Sequence, residues 1–449
     1  MSSGDGHSRG IRRAVAALAI ALSTALLAAC SGGGEAAHVD AIGSQSGERM
    51  PAATASQLES VLTTAVKLSG GSGGVAGVWA PWAGTWTAAT GTVSKAKGAA
   101  SVTTDASFRI GSITKPATCT VLLDLVAAHK VKLDDPVSKY LTRMVGIDGL
   151  TLGQLCDNTS GVADYWSTLT PQMVTNPTRT WDPLELVSTA LGNPAVAKPG
   201  TTWSYSNAGF VLLGDALQSA TGESWAKLYA KYVTDPLDIS TTTTLPSSSK
   251  LPAPALSGYS PDRNVVTGAA NCAVSDDDTD LSPTALQAAG GLVSNLDDTA
   301  SLVHAVAAGS LLPKGYAAKQ QASRTMSSTM PSWARYGLGV EEMGPLVGHA
   351  SSVPGYTSAA YSDPASGLTV VIAVNDSAPS ANFARLVALE LASIASKAPA
   401  AKGQKAPTVA LPWTVSQVQQ VLPYETGCGV KAGAIPAALK PLAAIAPRY

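Results

Sequence analysis

A serine and a lysine three residues apart have the types and the spacing of an activated nucleophile. Ser112 and Lys115 stand where a helix is predicted to begin, because Pro116 is tolerated in a first turn and an apolar stripe through Val121 and Leu125 follows. Residues three apart share a helical face, so a buried lysine with a lowered pKa can take the hydroxyl proton. The helix start also offers N–H groups to a developing oxyanion. The alternative is a helix cap beside a surface lysine.

A tyrosine and an asparagine two residues apart are the second candidate pair. Tyr205 and Asn207 follow the turn-like segment 199–204 and precede an apolar helix predicted from Phe210 to Ala220. In a non-helical turn both side chains can face one cleft, where the phenol can shuttle a proton and the amide can hold a substrate carbonyl. The alternative is a core tyrosine beside a helix-capping asparagine.

The third candidate segment lies at the predicted start of a strand, within residues 348–356. His349, Ser351 and Ser352 belong to it, and the backbone there could line a bound substrate. The alternative is an ordinary hairpin turn.

The predicted elements that position these residues form an α+β body. Strand-like segments occur at both ends, with a hairpin within 75–93 and further strands in 336–347, 357–361 and 368–375. Asn382 is predicted to cap the last apolar helix. Helical patterns fill the middle of the chain, so we expect an antiparallel sheet flanked by helices with an inserted helical lobe.

The N-terminal thirty residues are typical of a bacterial lipoprotein signal. Arg9, Arg12 and Arg13 precede an apolar run over 14–29, and Cys30 follows at the expected cleavage point. Lipidation of Cys30 would anchor the chain to the outer face of the membrane, whereas an ordinary secretory signal would release it. The predicted divisions are a signal peptide over 1–29, a tether over 30–55, a main domain over 56–398 and a C-terminal extension over 399–449.

Composition excludes several classes of function. The chain has 449 residues, of which 45% are apolar and 14% charged, with a net charge of −1. It therefore lacks the basic excess that nucleic-acid binding requires. Scattered histidines and the absence of a Cys-x-x-Cys pair give no indication of a metal or a cofactor. Four cysteines remain after Cys30 and allow three pairings, among which Cys272–Cys428 is favoured because both lie in loop-like segments; the four are Cys119, Cys156, Cys272 and Cys428.

Taken together, the three candidate segments resemble the serine β-lactamase and penicillin-binding family, in its class C and DD-carboxypeptidase-like branch. Ser-x-x-Lys, Tyr-x-Asn and a Lys/His-Thr/Ser-Gly strand motif occur there in this order. The segments 132–141, 150–155 and 288–294 are also similar, and Asn158 begins an Asn-Thr-Ser-Gly segment where the family commonly has His-Thr-Ser-Gly. The resemblance extends from about residue 57 to 397 and implies the fold of that family.

The resemblance also implies a role for each residue. Ser112 would be the acylated nucleophile, Lys115 its proton acceptor and Tyr205 the group that protonates the leaving group and later activates water. Asn207 would hold the substrate amide, and the backbone N–H groups of Ser112 and Ser352 would form the oxyanion hole. An acyl-enzyme would form without a metal.

Two departures from the family pattern bear on the substrate. Ser351 stands where the third motif usually ends in Gly, so its hydroxyl either replaces the missing one of Ala350 or narrows the cleft. Asn158 replaces the usual histidine. The leading hypothesis is a cell-surface serine hydrolase acting on D-alanyl peptides of the cell wall or on β-lactams. An esterase, a D-amino-acid amidase and a non-catalytic peptidoglycan-binding lipoprotein are the alternatives. The sequence leaves the oligomeric state open.

Overall fold

The computed structural model describes residues 47–240, 243–263, 270–428 and 434–443, with the single positions Met1, Ile42 and Gln45. Apart from Met1, these residues belong to one compact unit that comprises residues 39–449. The predicted signal peptide and Cys30 lie outside the described residues. Within the described ranges, no helix is both long and apolar enough to cross a membrane.

The strands have the alternating or fully buried patterns expected of a covered sheet. In chain order they are β1 (Gly73–Ala80), β2 (Gly84–Gly91), β3 (Phe108–Arg109), β4 (Tyr259–Arg263), β5 (Ala270–Asp277), β6 (Val293–Ser294), β7 (Arg324–Thr325), β8 (Ala334–Tyr336), β9 (Glu341–Met343), β10 (Leu346–Val353), β11 (Tyr356–Ser362) and β12 (Thr369–Val374).

The main sheet has eight antiparallel strands in the order β2-β1-β12-β11-β10-β9-β8-β7. The two smaller sheets are β3-β6 and β4-β5. In the main sheet β1 pairs with β12, with Gly74 opposite Val374 and Trp79 opposite Thr369. The two ends of the fold are therefore neighbours, and the residues between β2 and β7 are inserted on one side of the sheet.

The helices lie on both faces of this sheet and in the inserted lobe. In chain order they are α1 (Ala52–Ser69), α2 (Thr114–Ala127), α3 (Leu152–Cys156), α4 (Trp166–Thr175), α5 (Pro183–Leu191), α6 (Asn207–Thr221), α7 (Trp225–Tyr229), α8 (Leu296–Ala308), α9 (Tyr316–Gln320), α10 (Ala381–Ala395), α11 (Val415–Val421) and α12 (Lys440–Ala443).

Two hydrophobic cores hold these layers together. One lies between the sheet and α1 and α10; Leu58, Leu62 and Ala65 form the buried stripe of α1 at helical spacing. The other lies between the opposite face of the sheet, α8 and the helical lobe, with α2 at its centre. The predicted α+β class, with an antiparallel sheet and an inserted helical lobe, is confirmed.

Two predictions about where a helix begins need correction. Helix α1 begins at Ala52, inside the predicted tether over 30–55, because Pro51 sets the point before which the helix cannot extend. The prediction that Asn382 caps α10 is wrong: Ser380 occupies the N-cap position, and the Asn382 side-chain oxygen accepts a hydrogen bond from Arg385. The extension over 399–449 is part of the same compact unit.

Trp413 and Cys428 are among the residues that attach the C-terminal extension to the rest of the fold. Trp413 is buried against α10, where its Nε1 donates to Leu389 O at 3.2 Å and to Ser393 Oγ at 3.0 Å. Cys428 forms the predicted disulfide with Cys272 of β5. A second disulfide joins Cys119 of α2 to Cys156 of α3 inside the lobe.

Candidate active site

The Ser112 side chain lies at the junction of the helical lobe and the main sheet. Residues Gly111–Ile113 form a short 3-10 turn that leads directly into α2, as the Pro116 position predicts. The turn packs against β10. Ser112 is 8% exposed, so its hydroxyl is accessible at the base of a cleft but largely enclosed by protein.

Lys115 approaches Ser112 from the next turn of the same helix. Its Nζ lies 3.0 Å from Ser112 Oγ, 2.8 Å from Asn207 Oδ1 and 2.7 Å from the carbonyl oxygen of Ala289. The aromatic rings of Tyr205 and Phe210 lie within 4.6 and 5.1 Å of the same nitrogen. The amine is thus held in place by three acceptors and two rings.

Burial sets the protonation of Lys115. It lowers the pKa of the amine to about 7, while the negative charges of Asp164 and Glu341 oppose that shift. A neutral amine can donate to Asn207 Oδ1 and Ala289 O and keep its lone pair for the Ser112 hydroxyl proton. The contacts of Lys115 therefore suit a general base at neutral pH.

Tyr205 and Asn207 reach Ser112 from the loop that leads into α6. Ser206 is the N-cap of that helix, and its Oγ accepts the Gly209 N–H at 3.1 Å. Because the Ser206 side chain caps the helix, the side chains of its neighbours Tyr205 and Asn207 face the cleft. The Tyr205 hydroxyl lies 2.7 Å from Ser112 Oγ. Asn207 donates from Nδ2 to Asp164 Oδ2 at 2.9 Å, which fixes the orientation of the amide toward Lys115.

Asn158 supports this loop, a role that sequence reasoning did not assign. It has a left-handed backbone with a φ of 58°, which asparagine tolerates better than most residues. Its Oδ1 accepts the N–H of Ser206 at 3.0 Å, and its carbonyl accepts the N–H of Ser204 at 2.8 Å. The asparagine at the family's histidine position thus holds the backbone on both sides of Tyr205.

The three predicted residues of β10 differ in their positions. Ser352 lines the cleft, and its Oγ donates to Pro379 O at 3.2 Å. Ser351 is buried, and its Oγ accepts the backbone N–H of Ser112 at 2.8 Å. The Ser351 side chain therefore contacts the turn that carries Ser112, and it is not among the residues that line the two described cavities of the cleft. His349 is fully buried behind Tyr205, with 6.2 Å between ring centroids, and does not line the cleft. Substrate contacts of His349 and Ser351 stay predictions.

A buried charged network, which no local sequence pattern indicates, holds His349. Arg385 of α10 donates two hydrogen bonds to Glu341 of β9, at 3.0 and 2.8 Å, and Tyr361 donates a third. These contacts hold the pKa of Glu341 at about 2 despite burial. Burial lowers the pKa of His349 to about 4, although Glu341 raises it in part.

His349 is therefore neutral at physiological pH. Its Nδ1–H donates to Ala350 O at 2.6 Å, and its Nε2 lies 3.3 Å from the Tyr336 hydroxyl. The imidazole is oriented from both sides and carries no charge toward the cleft.

The cleft has an inner and an outer part. The inner cavity measures about 10 Å³ and is lined by Ser112, Trp166, Tyr205, Asn207, Leu286, Ser352 and Val353. The outer cavity measures about 350 Å³ and shares Trp166, Ser352 and Val353 with it. Every described side chain that lines either cavity is uncharged. A cavity of about 840 Å³ between α1, α10 and α11 is larger but contains none of the candidate residues.

Residues 61–393, well over half of the chain, match the family described as Beta-lactamase. The chain belongs to the Beta-lactamase family.

Curated relatives match a shorter part of the chain. A D-aminopeptidase of Cereibacter sphaeroides is 37% identical over 153 residues, which is 33% of this chain and 28% of that protein. The D-alanyl-D-alanine-carboxypeptidase/endopeptidase AmpH of Escherichia coli K12 is 34% identical over 149 residues, 32% of this chain and 38% of that protein. The chain thus matches about a third of each relative's length.

Solved structures with a similar fold match more of the chain. A D-stereospecific amidohydrolase from Streptomyces sp. is 30% identical, with a TM-score of 0.63, and the match covers 73% of this chain and 95% of that one. A penicillin-binding protein homologue from Pyrococcus abyssi has a TM-score of 0.66 at 22% identity, over 82% of this chain and 81% of that one. The latter likeness establishes the fold alone. The family and fold implied by the sequence resemblance are therefore confirmed.

Proposed function

We propose that this protein is a serine hydrolase that forms an acyl-enzyme on Ser112. The observation that carries the proposal is the position of Ser112 Oγ, which lies 3.0 Å from Lys115 Nζ and 2.7 Å from Tyr205 Oη. A hydroxyl between an amine with a pKa near 7 and a phenol has both a proton acceptor and a proton donor within hydrogen-bond distance.

The contacts support a two-step reaction. Neutral Lys115 takes the Ser112 proton as Oγ attacks the substrate carbonyl, and Tyr205 gives its proton to the departing nitrogen or oxygen. The proton on Lys115 then passes to Tyr205 through the space that the leaving group has vacated. This transfer restores the phenol. In the second step the same groups take a proton from water as it attacks the acyl carbon, and they return that proton to Ser112 Oγ as the acyl bond breaks. The N–H groups of Ser112 and Ser352 would stabilise the oxyanion in both steps.

The uncharged lining of the cleft argues against a substrate carboxylate, and the names of the relatives favour an amide of a D-amino acid. The side chains lining both cavities are uncharged, and His349 is neutral because burial lowers its pKa to about 4. The described cleft therefore offers no cation to a substrate carboxylate, which D-alanyl-D-alanine ends and β-lactams carry. The amidohydrolase from Streptomyces sp., which this chain matches over 95% of its length, is described as D-stereospecific. The relative from Cereibacter sphaeroides is a D-aminopeptidase. Both support an amidase.

Hydrolysis of D-alanyl cell-wall peptides or β-lactams is the second candidate. The sequence match to AmpH, whose name describes a D-alanyl-D-alanine carboxypeptidase, favours it. In this case the substrate carboxylate would be held by hydroxyl and backbone N–H groups of the cleft, such as those of Ser352 and Ser377.

A matched substrate panel distinguishes these candidates. Purified protein lacking residues 1–30 is assayed with D- and L-phenylalanine amides, a D-alanyl-D-alanine peptide, a chromogenic cephalosporin and p-nitrophenyl acetate, beside Ser112→Ala. We expect preferential turnover of the D-amide, and loss of all turnover in Ser112→Ala with unchanged thermal stability. A preference for the peptide or the cephalosporin would favour the second candidate. Unchanged turnover in Ser112→Ala would contradict the role of Ser112, and no turnover or covalent labelling would favour a binding lipoprotein.

We also propose export and lipid anchoring through Cys30. The basic and apolar residues that precede Cys30 support export, and two disulfides fit an oxidising compartment. The expected mature N-terminus is a diacylated Cys30, detectable by mass spectrometry of membrane fractions. Cys30→Ser should release the protein from those membranes, while Ser31→Ala should not. Equal membrane retention of both variants would contradict the anchor.

A further inference from the structure

The Ser351 hydroxyl occupies a position that the proposed reaction requires to be vacant. Its Oγ accepts the backbone N–H of Ser112 at 2.8 Å, and Ser351 is 1% exposed. The N–H of Ser112 is one of the two donors that would stabilise the oxyanion. A substrate carbonyl and the Ser351 hydroxyl therefore compete for the same donor. This inference rests on the proposed function.

The packing around Ser351 is close. Gly111, which precedes Ser112, has a φ of +50°, and a Cβ at this position would lie 2.1 Å from Ser351 Oγ and 2.7 Å from Val353 Cγ1. A glycine is needed here because the strand side chain approaches the backbone of the turn. The inner cavity beside these residues measures about 10 Å³, which is room for roughly one water. The site as described is too small to accept a carbonyl group and its substituents.

A second position for the Ser351 hydroxyl is available across the strand ladder. Ser351 lies directly opposite Ser358 of β11, so both side chains are on the same face of the sheet. Ser358 Oγ is buried and has no hydrogen-bond partner among the described residues. Rotation of the Ser351 side chain toward β11 would release the Ser112 N–H and give the Ser358 hydroxyl a partner.

We propose that Ser351 is an internal occupant of the oxyanion hole. Acylation requires its hydroxyl to leave the Ser112 N–H and bond to Ser358 Oγ, and the substrate oxygen then takes the released donor. The bond between Ser351 Oγ and the Ser112 N–H must break first, and the new bond to Ser358 Oγ offsets that loss only in part, so Ser351 slows acylation. Substrates that bind well in the outer cavity can offset that cost, so Ser351 also contributes to substrate selection.

The test is the rate of covalent labelling by a fluorophosphonate. In this reaction Lys115 takes the hydroxyl proton of Ser112, Ser112 Oγ forms a bond to phosphorus, fluoride leaves, and the phosphoryl oxygen enters the oxyanion hole. We expect Ser351→Ala to label about threefold to tenfold faster than wild type, because one neutral hydrogen bond no longer competes. Ser358→Ala should label about threefold more slowly, yet have no effect in the Ser351→Ala background. Ser362→Ala, which removes another buried serine of β11, is the matched control and should label at the wild-type rate.

Every labelling result either supports or overturns the proposed role of Ser351. Slower or unchanged labelling of Ser351→Ala, with adducts on Ser112 in both proteins, overturns this inference and leaves the proposed function intact. An equal effect of Ser358→Ala in both backgrounds also overturns it. Labelling of Ser351→Ala but not of wild type supports it. Labelling of neither protein overturns this inference and the proposed function together. Matching far-UV circular dichroism and thermal midpoints confirm that the compared variants are folded.

Discussion

The side-chain oxygen of Asn158 accepts the backbone N–H of Ser206 at 3.0 Å, across 48 residues of sequence. With the bond from Ser204 N–H to the Asn158 carbonyl, this contact holds the backbone on both sides of Tyr205. The phenol of Tyr205 reaches Ser112 Oγ because the loop is fixed at these two points. Asn158 is thus a positioning residue, with no contact to the reacting atoms.

Replacement of Asn158 should reduce turnover as well as stability. Asn158→Gly keeps the left-handed backbone but leaves the Ser206 N–H without its acceptor, at a cost of about 1–3 kcal/mol in the free energy of unfolding. We expect kcat for the best ester or amide to fall about tenfold to a hundredfold, because the phenol is displaced, with KM little changed. Steady-state kinetics and urea denaturation provide the measurement. The exposed Asn193→Gly is the control, and a change confined to stability would contradict the positioning role.

The acid limb of the pH–rate profile should report Lys115. Burial lowers the pKa of its amine to about 7, and the neutral form is the base. Therefore kcat/KM should rise with unit slope below about pH 7 and level off above it. The profile is measured with a neutral ester between about pH 5 and pH 9. Lys115→Arg, which stays protonated throughout this range, should lose this limb with most of the activity. A wild-type profile that is flat from pH 5 to 8 would argue against Lys115 as the base.

The buried pair of Glu341 and Arg385 should contribute strongly to stability. Arg385→Ala leaves a carboxylate buried without its two guanidinium hydrogen bonds, so we expect the free energy of unfolding to fall by about 3–5 kcal/mol. Removing both charges in Glu341→Gln/Arg385→Met should recover part of that loss. The half-exposed pair of Arg179 and Glu185 is the comparison, where Arg179→Ala should cost less than about 1 kcal/mol. Urea denaturation at neutral pH tests this, and equal losses for the two pairs would contradict it.

His349 should make the protein less stable in mild acid. Its pKa falls from an ordinary value of 6.5 to about 4 in the folded state because of burial. Between these values the unfolded chain binds the proton and the folded chain does not, so the stability from neutral His349 is present above about pH 6.5 and is lost as the pH falls to about 4. Glu341 adds a loss of the same sign between about pH 4.5 and 2.

Replacing the His349 imidazole with an uncharged amide isolates the contribution of His349 to the loss of stability in acid. His349→Gln should be less stable than wild type at neutral pH, and the difference between the two proteins should shrink as the pH falls from about 6.5 to 4. Thermal midpoints across this range give the comparison. The acid loss due to Glu341 should persist in the variant. A difference that is constant across the range would show that His349 does not titrate as described.

Local spacing predicted those features that depend on neighbouring residues. The three-residue interval between Ser112 and Lys115 fixed their shared helical face, and Pro116 marked the start of the helix. Partners distant in sequence were not predictable in this way. The acceptor of Ser206 lies on Asn158, and the charges behind His349 come from Glu341 and from Arg385 on another element. Their pairing follows from the order of the strands and from the packing of α10, which hydrophobic patterns do not specify.

The pairing of β1 with β12 has a consequence for the order in which the protein matures. A chain that emerges from its N-terminus makes β1 and β2 early, but Val374 and its neighbours on β12 arrive after about four fifths of the residues. Until then the inner edge of β1 has no partner, and the apolar face that α10 will cover is exposed, which favours aggregation. Premature termination before β12 should therefore yield material that chaperones or proteases remove, rather than a smaller working enzyme. The segment that carries Ser112 is complete long before β10, so the proposed reactivity of Ser112 would arise only when synthesis is nearly finished.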